Sequence, residues 1–296
     1  MKSDTPPVCD YTASDYQQSF WDQGSRAYED ATEEIALKRL LPNSGKLLLE
    51  LGAGAGRNTP RYNGYQRVVL VDYSMTQLEQ AQQRLGKSNR YIYIAADAYR
   101  LPFVDGLFDG ATMIRTLHHM ADPSLALAQV RLVLSENAIF ILEYANKHNL
   151  KAILRYWMKK QDWSPFTEDA VEFARLNFNF HPQAIRKWLL GNRFLIQKQL
   201  TVSHFRMELL KKVIPPKHLA GLDGLFQPSG AFFQLTPSVF VRSQAIGSTV
   251  PVVGLEFFKC LVCGKGIQES SGNIRCPGCG HVWAQKNGIY DFRLDK

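Results

Sequence analysis

The sequence predicts an α/β fold, a mostly parallel sheet covered by helices on both faces, followed by a small cysteine-bearing domain. Two observations carry this. Between Lys46 and Tyr144, apolar strand-like runs alternate with helical patterns, the arrangement that builds βαβ units and buries a sheet from both sides. Four of the five cysteines lie in the stretch from Cys260 to Cys279. The opening MKSDTPPVCDYTASDY has acids where an export signal would have a basic and then an apolar region, so a cytoplasmic location is expected and the clustering favours metal over disulfides.

The elements follow in order. Ser14 to Leu41 reads as an amphipathic helical region stopped by Pro42. The runs KLLLEL (46–51), RVVLVD (67–72), YIYIAA (91–96), LFDGATMI (107–114) and AIFILEY (138–144) read as strands, with MTQLEQAQQRLG (75–86) and DPSLALAQVRLVL (122–134) as helices between them. Lys147 to Leu190 is expected to be helical, broken at Pro165 and Pro182. RFLIQKQLTVSHF (193–205) and AFFQLTPSVFVR (231–242) read as late strands around a helical insert, and SQAIGSTVP as a linker. The division expected is residues 1–245 for the main domain, with an insert over about 147–230, and 246–296 for the tail. No run approaches the ~18 apolar residues of a membrane span.

The formal charge of +8 is unevenly spread: −2 over residues 1–150, +8 over 151–221, zero over 222–254 and +2 over 255–296. The middle segment is therefore suited either to an anionic partner such as RNA or to solvated helix faces.

LLLELGAGAGRNTP (47–60) holds the first chemical signal. A glycine-rich turn after the first strand of a parallel sheet lets a ligand approach the backbone. A dinucleotide turn would need a third small residue where Arg57 or Thr59 stands, and a P-loop would need a Gly-Lys-Ser/Thr that is missing. The pattern is instead Glu50-x-Gly52-x-Gly54-x-Gly56, with an acid that repels phosphate and suits an ammonium or sulfonium. Asp72 ends the second strand, where it can accept two ribose hydroxyls. Asp97 follows the third, placed to accept from an adenine amino group beside the Ala98 backbone. Acids at three successive strand ends describe a nucleoside with a cationic tail.

ELGAGAG, VDYS, AADAYRLPFVDGLFD and TLHHMADP resemble the successive motifs of class I S-adenosylmethionine-dependent methyltransferases, the type 11 group in particular, over roughly Lys46 to Glu143. The resemblance implies a Rossmann-like, seven-stranded sheet whose last strand, Phe232 to Arg242, runs antiparallel. It implies that Gly52, Gly54 and Gly56 flank the methionine portion of S-adenosylmethionine and that Glu50 meets its ammonium. Asp72 would bind the ribose with Tyr73 and Ser74 beside it, Asp97 and Ala98 the adenine, and Arg115 and Leu117 would line the site after the fourth strand. The connection from Gly56 to Asp72 is short and interrupted by Pro60 and Gly64, so a stunted first helix is expected and the role of Arg57 stays open.

Methyl transfer asks mainly for alignment and exclusion of water, with a base where the acceptor is a protonated oxygen or nitrogen. His118 and His119 follow the fourth strand and are the candidate bases, or else line the substrate. Glu143 and Tyr144 are further candidates. Trp21 and Tyr28 either close over the cofactor or pack against the sheet.

In the tail, Cys260-x-x-Cys263 and Cys276-x-x-Cys279 supply four thiolates for a structural zinc ion, with redox chemistry the rival reading. Four thiolates and one divalent ion carry −2, which cancels the tail's formal +2. His281 is expected at the surface. The tail resembles the small zinc-ribbon subunits that partner RNA and protein methyltransferases, through its cysteines and Gly288-Ile289-x-Asp291-Phe292. Alone it is too small to bury much core, so metal would supply most of its folding energy.

Three readings follow. The first is a methyltransferase acting on a small molecule in a pocket built by the insert, whose aromatics (Tyr156, Trp157, Trp163, Phe166, Phe173, Phe178, Phe180) suit an apolar lining or plain core. In the second, Lys159, Lys160, Arg186, Lys187, Lys211 and Lys212 track the phosphates of a tRNA or rRNA substrate. The third is a binding module without turnover, with the zinc ribbon as a docking surface for a partner protein.

Overall fold

Strand β1 (Gly45–Leu51) shows how the sheet is buried on both sides. Leu49 and Leu51 enter one core cluster and Leu48 the other, the period of two that a pleated strand imposes. β2 (Tyr65–Asp72) repeats the pattern with Val69 and Val71 against Val68 and Leu70. The computed structural model describes residues 6–9, 26–247 and 256–294. Residues 14–25 of the expected helical region Ser14 to Leu41, Trp21 included, lie outside them.

Helix α1 (Ala27–Leu40) and α2 (Met75–Leu85) cover one face through Leu37, Leu40, Leu78 and Ala81. After β3 (Tyr91–Ala95) and β4 (Phe108–Met113), α3 (Pro123–Val133) covers the opposite face through Leu127 and Val130. Local chemistry starts α2 and α3: the Ser74 hydroxyl accepts from Gln77 N–H, and Asp122 accepts from Leu125 N–H ahead of Pro123. Between β1 and β2 there is only a 3-10 turn, Thr59–Arg61, as Pro60 and Gly64 led one to expect.

β5 (Leu134–Ala145) leads into α4 (Leu150–Trp157). The sequence reading of a broken helix up to Leu190 needs correction here. A hairpin, β6 (Val171–Ala174) and β7 (Asn177–Asn179), occupies its middle before α5 (Pro182–Gly191). Bulky residues alternate only within each short half of VEFARLNFNF, Val171 and Phe173, then Leu176 and Phe178, and Pro182 does not break a helix but starts one, at its first position after the His181 cap. β8 (Phe194–Val202), α6 (Glu208–Val213), α7 (Pro216–Phe226) and β9 (Ser238–Ala245) complete the main body. β9 starts six residues later than Phe232 and runs on through Ser243 to Ala245, taking the first residues of the expected linker.

The strands stand in the order β3-β2-β1-β4-β5-β9-β8, parallel from β3 to β5, with β9 antiparallel to both neighbours. This is the expected seven-stranded sheet.

The tail does not stand apart from it. β10 (Glu256–Lys259) and β11 (Gly266–Gln268) form one hairpin; β12 (Ile274–Arg275), β13 (Val282–Lys286) and β14 (Ile289–Asp291) form a meander. β14 then pairs in parallel with β3, Ile289 beside Tyr93 and Asp291 beside Ala95. The sheet thus has ten strands, and the β3 edge is covered by the same chain. Phe258, Trp283 and Phe292 join Phe103 and Phe108 in one core cluster, with Phe103 and Phe108 edge-to-face at 4.9 Å. The small tail thereby shares the large core. Phe258→Ala, at a site with no exposure, is expected to lower unfolding free energy by about 3–5 kcal/mol in urea titration, with a single transition for tail and main body. Two separate transitions would show that the core is not shared. No helix among the described residues is long and apolar enough to cross a membrane.

Candidate active site and candidate metal centre

At the carboxyl ends of β1 to β4 a cavity forms, lined among others by Glu50, Gly52, Gly54, Asp72, Tyr73, Ala98, Arg115 and His119. The glycine turn makes this possible. Gly52 has φ +73°, and a Cβ there would stand 2.0 Å from the Thr116 hydroxyl oxygen, so no other residue fits without displacing the strand end.

Asp72 is fixed by the same turn. Its two carboxylate oxygens accept backbone N–H groups of Gly54 and Ser74, both at 2.9 Å. A carboxylate oxygen can accept more than one hydrogen bond, the capacity a vicinal diol requires. Ser74 itself caps α2 rather than lining the cavity. Asp97 lies between the lining residues Ala96 and Ala98 and accepts from Tyr99 N–H at 2.8 Å. Gly56 packs beneath the turn near Leu85 and Ala81. Leu117 is fully buried.

Glu50 is almost wholly buried at the end of β1. Burial pushes its pKa up to about 7, offset in part by hydrogen bonds from Thr59 and Tyr62 and by the Arg57 charge. The Thr59 hydroxyl donates to it at 2.6 Å. A carboxyl in that state gains most from a cation arriving beside it.

A network that the sequence reading missed backs the cavity. Glu33 of α1, with no exposure, receives Arg57 at 2.6 Å on one oxygen and Arg115 Nε at 2.6 Å on the other. Burial alone would raise its pKa; Arg115 and then Arg57 outweigh that and hold it below the usual value. Arg57 also binds Asp30, which answers its open role: it ties α1 to the glycine turn. Arg115 sits at φ +54°, and its N–H donates to Glu143 at 2.9 Å. Glu143 is buried at the end of β5 and accepts the Ser238 hydroxyl at 2.6 Å. The available signal was AYEDATEEI, a helix with acids four apart whose buried face is not apolar. Val8 and Cys9 also line the cavity, and no pattern announced them.

His118 and His119 share the 3-10 turn Leu117–His119, with ring centroids 3.9 Å apart. Only His119 lines the cavity. Its Nδ1 lies 3.1 Å from the Leu176 carbonyl oxygen, which fixes the proton on Nδ1 and leaves Nε2 as the acceptor. Burial lowers both pKa values, that of His118 further through His119 and Arg115, so both rings are neutral at pH 7. Tyr144 is wholly buried off the cavity, with its pKa raised by burial and by Glu143. Tyr28 packs inside the body, its hydroxyl donating to Asp223 at 2.6 Å.

The four tail cysteines meet. Their sulfurs lie within 4.8 Å of one another, Cys260 to Cys279 at 3.8 Å and Cys263 to Cys276 at 3.5 Å. A tetrahedron of thiolates about 2.3 Å from zinc has edges of about 3.8 Å, so the set fits a zinc-sized ion. Both knuckles share one local device: Gly264 and Gly280 follow the second cysteine at φ +75° and +74°, and their N–H groups return to the carbonyls of Cys260 and Cys276. From this centre the chain reaches the cavity. Arg293, held by Asp291 at 2.7 Å, donates to the Tyr73 carbonyl at 3.2 Å and lies over the Tyr73 ring at 5.6 Å.

Comparison with known proteins agrees with this geometry. Residues 49–142 match the model of a family described as a methyltransferase domain. O-methyltransferase cnsE of Penicillium expansum is 34% identical over 116 residues, covering 38% of this chain and 42% of that protein. The 27-O-demethylrifamycin SV methyltransferase of Amycolatopsis mediterranei is 33% identical over 111 residues, covering 35% and 41%. The chain thus spans less than half the length of these relatives. Among solved structures, a candidate S-adenosylmethionine-dependent methyltransferase from Listeria monocytogenes aligns over 74% of this chain and 99% of its own, with TM-score 0.55 and 17% identity. A complex of the Haloferax volcanii Trm112 methyltransferase activator with a methyltransferase aligns over 76% and 94%, with TM-score 0.54 and 15% identity. The main body thus has the fold of solved methyltransferases, and residues 49–142 match a methyltransferase domain.

Proposed function

We propose that the protein transfers a methyl group from S-adenosylmethionine to a small-molecule acceptor. One observation carries this reading: Glu50 and Asp72 stand at the ends of adjacent parallel strands on one cavity, joined by a glycine turn whose amide pins Asp72. When bound there, S-adenosylmethionine supplies a methyl already activated on sulfur. Glu50 holds its ammonium, Asp72 its ribose hydroxyls, and Asp97 and Ala98 its adenine, with Tyr73 and Ser74 shaping the turn. Arg115 closes the far wall. His119 Nε2 takes the proton of an oxygen or nitrogen acceptor. O-methyltransferases among the relatives agree with a small acceptor. The RNA reading loses two of its cations to the fold, since Lys187 pairs with Glu168 at 2.7 Å and Lys211 with Glu208 at 3.0 Å.

The tail holds zinc on Cys260, Cys263, Cys276 and Cys279. The Haloferax complex holds its activator as a separate protein; here a zinc ribbon covers the sheet edge within one chain.

Calorimetry tests the donor. S-adenosylmethionine and S-adenosylhomocysteine are expected to bind, ATP and nicotinamide dinucleotide not; the reverse result removes the proposal. The pH dependence tests Glu50. Its carboxyl titrates near pH 7 in the free protein, and only the ionised form pairs with an ammonium. Affinity should therefore be level above pH 7 and fall as pH drops below it, by up to tenfold per unit. Binding at pH 6.5 should release a proton, and Glu50→Gln should flatten the profile. A wild-type affinity that does not change between pH 8 and pH 6 removes Glu50 from this role.

A further inference from the structure

A second cavity, of about 1260 Å³, opens between α4, the start of α6 and the segment leading into β9. Its walls combine two chemistries. Leu150, Leu154, Met158, Met207, Phe233 and Leu235 line it although each is substantially exposed, Phe233 to 68%. Large apolar side chains grouped on a concave surface mark a site that something apolar covers. Lys151, Arg155, Lys160 and Arg206 line the same cavity against a single carboxylate, Glu208, which Lys211 neutralises at 3.0 Å. The sequence LKAILRYWMKK produces this mixture. Leu150, Leu154 and Met158 recur along one side of α4, and Lys151 and Arg155 follow each leucine by one position, flanking the apolar stripe. Among the described residues, Lys151, Arg155 and Lys160 make no ion pair. Here, then, is where the concentrated positive charge of residues 151–221 meets a ligand-sized hollow.

Hydrogen bonds also join the wall of this cavity to the wall of the first. Thr236 and Pro237 form part of its wall, and the next residue, Ser238, donates to Glu143, which in turn accepts from Arg115 on the donor cavity.

Resting on the methyltransferase reading, we propose that this cavity takes the methyl acceptor as an amphiphilic anion. An apolar chain or ring system lies along α4 and Phe233, and an acidic group, carboxylate, phosphate or sulfate, sits at Lys151, Arg155 and Lys160. An RNA strand would leave the apolar wall unused, since its phosphates need cations in a row and its bases need flat aromatic faces.

The test uses soluble single-chain probes that share one tail. Octyl phosphate, octanol and octyltrimethylammonium, each kept below its micelle threshold, are titrated by calorimetry into the full chain. Octyl phosphate is expected to bind at least tenfold more tightly than octanol, and the ammonium not to bind. Lys151→Glu with Arg155→Glu should weaken octyl phosphate tenfold or more, the milder Arg155→Gln by a few-fold, and Leu154→Asp should weaken all apolar probes. These positions are exposed, and unchanged thermal melts will show that the variants fold. Equal affinity for the three head groups, or indifference to the charge reversal, overturns the proposal. So does co-flotation with phosphatidylglycerol vesicles without binding of monomeric octyl phosphate, which would make the face a membrane surface. S-adenosylhomocysteine affinity is measured in parallel. Its absence alongside normal octyl phosphate binding would sink the donor reading, and with it the acceptor role, and leave only a cavity for amphiphilic anions.

Discussion

Asp72→Ala should lose S-adenosylhomocysteine affinity by about 100-fold or more while leaving the fold in place. Two charge-assisted hydrogen bonds to a ribose diol contribute about 1.5–3 kcal/mol each, and every 1.4 kcal/mol is tenfold in affinity. The carboxylate has a second task, accepting the Gly54 and Ser74 amides at 2.9 Å, so its removal also frees the glycine turn. Asp72→Asn separates the two effects. The amide keeps the shape and one acceptor oxygen, but its NH2 faces a backbone donor, so an intermediate loss of about tenfold is expected. Asp72 is partly exposed, and water can satisfy the two amides in the alanine variant. Unfolding free energy in urea should accordingly move by less than about 2 kcal/mol. If Asp72→Ala binds S-adenosylhomocysteine as the parent does, the cavity at the strand ends is not the nucleoside site.

Those strand-end residues were legible because the forces that place them are local. A glycine turn after a buried strand, an acid at a strand end and a capping serine are settled within a few residues, as Gly52, Asp72 and Ser74 illustrate. Glu33 was not legible, because its partner Arg115 lies 82 residues on and two buried acids on a helix look like a solvated face until the cations arrive. The β6–β7 hairpin was hidden for another reason: four- and three-residue strands are too short for periodicity to separate from helix. Docking of the tail was the largest omission. Nothing in the tripeptide Ile289–Asp291 specifies Tyr93–Ala95 as its partner. Strand pairing over that separation is selected by the whole core, here by Phe258, Trp283 and Phe292 finding Phe103 and Phe108.

That docking changes what metal removal should do. The purified protein is expected to carry one zinc ion per chain, and chelation or Cys276→Ser should lower thermal stability of the whole chain and not of the tail alone. Without a cation, sulfurs 3.5 and 3.8 Å apart cannot all stay ionised, and the apparent binding energy of a structural zinc, about 10–16 kcal/mol, is lost from the fold. β14 then has no meander to hold it against β3, and the aromatic side chains it brings leave the shared core. The effect reaches the donor cavity through Arg293, whose hydrogen bond to the Tyr73 carbonyl and position over its ring are each worth about 1 kcal/mol. Zinc-free protein should bind S-adenosylhomocysteine about tenfold more weakly. Arg293→Ala should reproduce most of that loss with its zinc intact and its melting temperature nearly unchanged, which separates a lever on the cofactor turn from simple unfolding. A zinc-free chain with full affinity and an unaltered melt would mean that the tail only rests on the sheet edge.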